Sequence, residues 1–185
     1  MSSLVLRNAV KQDADKIKNL IESNNYNSDE YGHTGLVDFP ILPKKYYEVM
    51  IESSPFFYIF EHNSNIIAVF ASFSKEVIDR LKFPEDEILN YFKNLEEENF
   101  IYYDFMVIDS NHRDQKFEGL RLSDYFFSLL FNKAYDMGYK TFYAAVSHKP
   151  ENISSKKMLK RNNFVFIREL GFDGYTFGIY RKQIP

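Results

Sequence analysis

The chain has no cysteine, which excludes disulfides, thiol nucleophiles and thiolate-held metals. It has no tryptophan and only four histidines: His33, His62, His112 and His148. None of them falls in a His-x-x-x-His or His-Glu-x-x-His pair, so no metal site is expected. No apolar run approaches the ~18 residues of a membrane-spanning helix. No charged-then-apolar leader opens the chain, so the expectation is a cytoplasmic protein with no membrane partner. Internal repeats and low-complexity tracts are missing. The formal net charge of −3 supplies no basic field, and no nucleic-acid partner is expected.

What is present is a core. Of 185 residues, 45% are hydrophobic and 18% aromatic, with 19 Phe and 14 Tyr. That suffices for one domain over residues 1–185, with a core and a pocket rich in rings. Ser3 to Arg7 alternates as a strand, and Gln12 to Glu22 carries Ala14, Ile17, Leu20 and Ile21 at helical spacing. Ser23 to Leu42 is polar, holds Glu30, Tyr31 and His33, and reads as an ordered loop or a short-helix region of the kind that often carries a substrate. Lys44 to Ser53 reads as a short helix. Phe56 to His62 and Ile66 to Phe73 form a hairpin around Asn63-Ser-Asn65.

The charged stretch from Lys75 to Asn99 carries a helix over Glu85 to Glu97, and Glu96 to Glu98 reads as its solvated end. Phe100 to Ile108 is apolar almost throughout and reads as a strand buried on both faces. Leu120 to Met137 is a long helix stopped by Gly138. Thr141 to Ser147 is a strand, with His148 in the loop after it. Asn152 to Asn162 is a helix with Asn163 as a left-handed cap. Phe164 to Leu170 and Tyr175 to Arg181 close the chain as a hairpin. The order βα(α)ββ(α)βαβαββ defines a mixed α/β sheet with helices on its faces.

Two stretches carry chemistry. From Phe100 to Phe131 a strand leads through the polar loop Asp109 to Glu118 to a helix opening at Gly119-Leu-Arg-Leu-Ser123. Backbone N–H groups at a helix start form an anion site, and Arg113, Lys116 and Arg121 add positive charge. The second stretch is Asn152-Ile-Ser-Ser155-Lys-Lys-Met158-Leu159, ending at Asn163-Phe164. Asp104 is the lone carboxylate in its apolar strand, and burial there would raise its pKa and make it a better base.

The element order and both stretches resemble the GNAT superfamily of acyl-CoA-dependent N-acyltransferases. The family's strand, Arg/Gln-x-x-Gly-x-Gly/Ala and helix signature falls best on Glu118-Gly119-Leu120-Arg121-Leu122-Ser123, with Arg121 at a family glycine and Glu118 at the family Arg/Gln. Alternatively Arg113 fills the basic slot before an insertion at Asp114 to Phe117. The family's later Asn-x-x-Ala/Ser-x-x-Leu-Tyr pattern matches at Asn152, Ser155 and Met158, and Leu159 stands where Tyr is common.

The resemblance implies a single-domain, largely antiparallel twisted sheet of about seven strands, flanked by helices, with a helical insertion at residues 75–99. It implies acetyl-CoA as cofactor, held by Met106, Val107, Ile108, Arg113, Gly119, Leu120, Arg121, Leu122, Ser123, Asn152 and Ser155. The backbone N–H groups of Met106 to Ile108 would polarise the thioester, and Asp104 would be the catalytic base. The acceptor would be a primary amine on a small molecule or peptide, and the chain a monomer or homodimer. Leu159 cannot protonate a departing thiolate, which leaves that role to Ser154, another tyrosine or water. The other reading is a catalytically degenerate descendant that binds coenzyme A or a partner as a sensor or scaffold.

Overall fold

The computed structural model describes residues 4–26, 36–37, 41–81, 86–172 and 174–184. The expected acceptor residues Glu30, Tyr31 and His33 lie outside them. The chain divides into two compact units, Met1–Ala71 with Phe105–Phe126, and Ser72–Asp104 with Phe127–Pro185.

In the first unit β1 (Leu4–Asn8) leads through a 3-10 turn at Lys11–Asp13 to α1 (Ala14–Ser23). The helix starts two residues later than the apolar spacing suggests, because Asp13 is drawn aside. Its carboxylate takes Arg7 Nη1 at 2.7 Å and the Val10 N–H at 2.8 Å. Ala14, Ile17, Leu20 and Ile21 form the buried stripe that the spacing requires. Short strands β2 (Asn25–Tyr26) and β3 (Leu36–Val37) pair in parallel, and α2 spans Lys44–Ser53 as read from the sequence. β4 (Phe57–His62) and β5 (Asn65–Ser74) are the expected hairpin. Asn63 and Ser64 form its turn with φ of 50° and 65°. Phe70 stacks on Phe126 at 4.1 Å, and Phe60 lies 5.4 Å from Phe117.

In the second unit a helix that the sequence reading misses, α3 (Lys75–Arg80), follows β5. Ser74 caps it by accepting the Val77 N–H. The helix expected over Glu85 to Glu97 is only α4 (Glu87–Lys93), capped by Asp86, which accepts the Leu89 N–H at 2.9 Å. Glu97 is no solvated helix end: Tyr143 donates to it at 2.6 Å and Arg181 lies at 3.4 Å. β6 spans Phe100–Ile108, and its first four residues are buried. Two short strands that belong to the first unit, β7 (Lys116–Phe117) and β8 (Leu120–Arg121), precede α5 (Leu122–Asp136). β9 (Thr141–Lys149), α6 (Ile153–Arg161), β10 (Val165–Phe172) and β11 (Tyr175–Gln183) complete the chain. Asn163 takes φ 60°, the left-handed cap foreseen.

Seven strands form one sheet in the order β1-β4-β5-β6-β9-β11-β10, flanked by helices. It is mostly antiparallel, with β6 and β9 parallel. This is the sheet that the resemblance implies.

Candidate active site

The parallel ladder of β6 with β9 runs from Phe100 opposite Thr141 to Tyr103 opposite Ala144. Asp104 comes next. Strand alternation puts it on the face of Tyr102, whose hydroxyl favours its ionised form. Tyr102 is buried against Phe92, with ring centroids 4.2 Å apart. Asp104 itself keeps part of its surface open to solvent. Burial is the largest influence on its acidity, since desolvation disfavours the anion. The Asp86 carboxylate adds repulsion, and the Tyr102 hydroxyl acts the other way. The net effect is a carboxyl pushed up to about 8. Among the described residues no lysine or arginine pairs with it. Burial also pushes the Tyr102 and Tyr103 phenols up, which makes both weaker proton donors.

Further along β6, the Asp109 N–H bonds the Ile67 carbonyl of β5 at 2.8 Å. Peptide groups alternate along a strand, so the Val107 N–H points toward β5 as that of Asp109 does. The N–H groups of Met106 and Ile108 point to the other edge. Two of the three donors expected for a thioester oxygen are thus turned away from β5, and Val107 is not.

The loop after β6 holds a surprise for the sequence reading. Lys116–Phe117 and Leu120–Arg121 pair antiparallel around Glu118 and Gly119, whose φ values are 50° and 82°. Two successive positive φ angles mark a two-residue hairpin turn. Phe117 anchors this hairpin against Phe60 and, at 4.7 Å, Tyr125. Helix α5 therefore begins at Leu122, not at Gly119, and Gly119 serves the turn. Leu120 and Arg121 are exposed, whereas Leu122 and Ser123 are buried.

The hairpin register sets Lys116 directly opposite Arg121. Like charges so placed repel. Neither has an acidic partner among the described residues. Arg113, half-buried, precedes the hairpin.

In the second unit Asn152 caps α6. Its side-chain oxygen accepts the Ser155 N–H at 3.0 Å, and its own N–H donates to Ser147 O at 2.9 Å. Its carbonyl oxygen is thus engaged in holding the helix. Asn152→Ala is expected to lower unfolding free energy by about 1 kcal/mol, the usual worth of such a cap, read from a denaturant midpoint. Ser155 keeps partial exposure, and Leu159 is completely buried.

The structure thus gathers Lys116, Gly119, Leu120 and Arg121 in one hairpin, Asp104 with Tyr102, and Asn152 with Ser155. Asp86 and the pairing of Lys116 with Arg121 escape the sequence reading. The first is one acid among many in a charged stretch. The second depends on a Glu-Gly turn, which lacks the Asn-Gly or Asp-Gly chemistry that announces a hairpin. Among the described residues no group of three His, Asp or Glu is placed to hold a metal ion, and no helix is long and apolar enough to cross a membrane.

These elements define a fold class: the chain has the fold of the GNAT-family acetyltransferases. No protein-family profile and no curated protein matches the sequence. Solved structures do match over nearly the whole chain. The GNAT-family acetyltransferase from Streptococcus pneumoniae shares 15% identity, with 99% of this chain and 100% of that one covered and a TM-score of 0.66. The yncA protein of Salmonella typhimurium, solved with its cofactor acetyl-CoA, shares 13% over 97% and 93%, with a TM-score of 0.63. The Drosophila melanogaster polyamine N-acetyltransferase, which forms N-acetylagmatine, shares 11% over 98% and 100%, with a TM-score of 0.66.

Proposed function

We propose that this chain transfers an acetyl group, or another acyl group, from acyl-CoA to a primary amine by direct attack in a ternary complex. The acceptor is an amine-bearing small molecule or a peptide. The observation that carries this reading is Asp104, a desolvated carboxyl with no cationic partner on a strand of a GNAT fold.

The residues fit acetyl-CoA. Two opposed cations without acidic partners, followed by a helix start, suit a multiply charged phosphate chain. The Met106 and Ile108 N–H groups suit a carbonyl oxygen. When bound, acetyl-CoA supplies a thioester acyl group. In this reading Lys116 and Arg121, with Arg113 and the Gly119 to Ser123 segment, hold the phosphates. Asn152 and Ser155 border the pantetheine.

Asp104 takes the amine proton. An amine of pKa ~10.4 needs about 4–5 kcal/mol to become neutral at pH 7. A carboxylate whose acid titrates near 8 accepts that proton far more readily than an ordinary one. The base form grows as pH rises through about 8, so kcat/KM with a fixed amine is expected to climb through that region. Initial rates between pH 6 and 9.5 check this, and a flat profile would count against Asp104.

Leu159 favours a second reading. It is fully buried where the resemblance implies a proton-donating tyrosine. A thiolate of pKa ~8.5 leaves without much help, so transfer survives the change. In a coenzyme-binding sensor or scaffold it would not. Amine-dependent release of free thiol separates the two.

A further inference from the structure

β9 continues to Lys149, so His148 lies in a strand and not in the loop that the sequence reading gives it. Only 14% of its side chain is exposed. Its ring covers Gly178 of β11 so closely that a Cβ there would lie 2.1 Å from Nε2. A glycine inside a strand weakens it, and this one makes room for an imidazole. Phe166 stacks on the ring at 5.7 Å and 20°. Nδ1 lies 2.8 Å from the Glu169 carboxylate, and Nε2 lies 2.8 Å from the Tyr180 hydroxyl. A carboxylate only accepts, so Nδ1 carries the hydrogen, and in the neutral imidazole Nε2 accepts from Tyr180. The phenol oxygen keeps lone pairs for a further donor.

Tyr180 lines a cavity of about 380 Å³ beside α6. Ile153 and Phe166, each 48% exposed, give it an apolar wall, and Lys156, Lys157 and Lys160 line it from one helix face. Lys156 is paired with Glu151, whereas Lys157 and Lys160 have no acidic partner among the described residues. The net charge of the whole chain is −3, so this patch departs in sign from the rest.

We propose that this cavity binds a nucleoside phosphate. A flat base lies on the outer face of Phe166 and donates an N–H to the Tyr180 oxygen, while Lys157 and Lys160 take the phosphate. The histidine, fixed by Glu169 and Gly178, commits the tyrosine hydrogen and so makes its oxygen an acceptor. The occupant is a free nucleotide and not the coenzyme.

The test is an NMR titration of the full chain with AMP, following the His148 and Tyr180 ring signals, with adenosine as the uncharged control. AMP should shift both rings saturably and bind at least ~10-fold more tightly than adenosine. The Lys157→Gln, Lys160→Gln double variant should lose at least ~10-fold in AMP affinity while its melting temperature stays within a few degrees. Saturating acetyl-CoA should leave AMP binding undisturbed, and displacement of AMP by it would overturn the proposal. Absence of an AMP-dependent shift, equal binding of adenosine, or full AMP affinity in the double variant overturns the proposal.

Discussion

Asp104→Asn is expected to cut kcat for acetyl transfer by about 10²–10⁴-fold, the range for loss of a general base, while acetyl-CoA still binds. The same change should stabilise the fold at alkaline pH. The folded chain holds the Asp104 proton up to about 8, whereas an unfolded aspartate releases it near 3.8. Between those values the folded state binds the extra proton, so stability falls as pH rises through that window. Asparagine carries no charge and escapes the penalty. Allowing for the side chain's remaining solvent access, the gain at pH 9 is roughly 2–5 kcal/mol and vanishes below pH 4. Denaturant melts of both proteins at pH 4 and pH 9 read it directly. A variant that loses activity without this pH-dependent gain would show that the carboxyl is an ordinary ionised partner. Stability traded for a desolvated acid is the pattern of a working site.

The second large effect belongs to the hairpin. Reversing both cations, Lys116→Glu with Arg121→Glu, should weaken acetyl-CoA binding by about 10²-fold, since each charge-assisted phosphate contact is worth ~1.5–3 kcal/mol. Isothermal titration at two salt concentrations should also show a shallower salt dependence. The single variant Lys116→Glu sharpens the test. It places an acid directly opposite Arg121, which should stabilise the hairpin by about 0.2–1 kcal/mol. Affinity should fall while stability holds or rises. If both fall together, the two cations serve the fold and not a ligand.

The sheet was legible because its strands carry their own punctuation. β6 is apolar but for Asp104, β4 and β5 flank Asn63-Ser-Asn65, and α2 and β6 have the limits that their patterns imply. The left-handed Asn163 was equally open to reading. Asp104 stood out as one charge in an apolar strand. What stayed hidden depends on partners remote in sequence. Arg7 draws Asp13 out of the first helix, and Tyr102 and Asp86 set the acidity of Asp104. His148 was read into a loop because nothing local shows that Gly178 clears a space for it. The β7–β8 hairpin escaped because a Glu-Gly pair at positive φ depends on the anchoring of Phe117 by Phe60 and Tyr125 more than on turn chemistry.

The most direct measurement is amine-dependent release of free thiol from acetyl-CoA, followed across a panel of primary amines between pH 7 and 9. Acetyl transfer at Asp104 predicts release with at least one amine, rising through about pH 8 and lost in Asp104→Asn. No amine-dependent release with any amine at any of these pH values, or undiminished release by the variant, would contradict it.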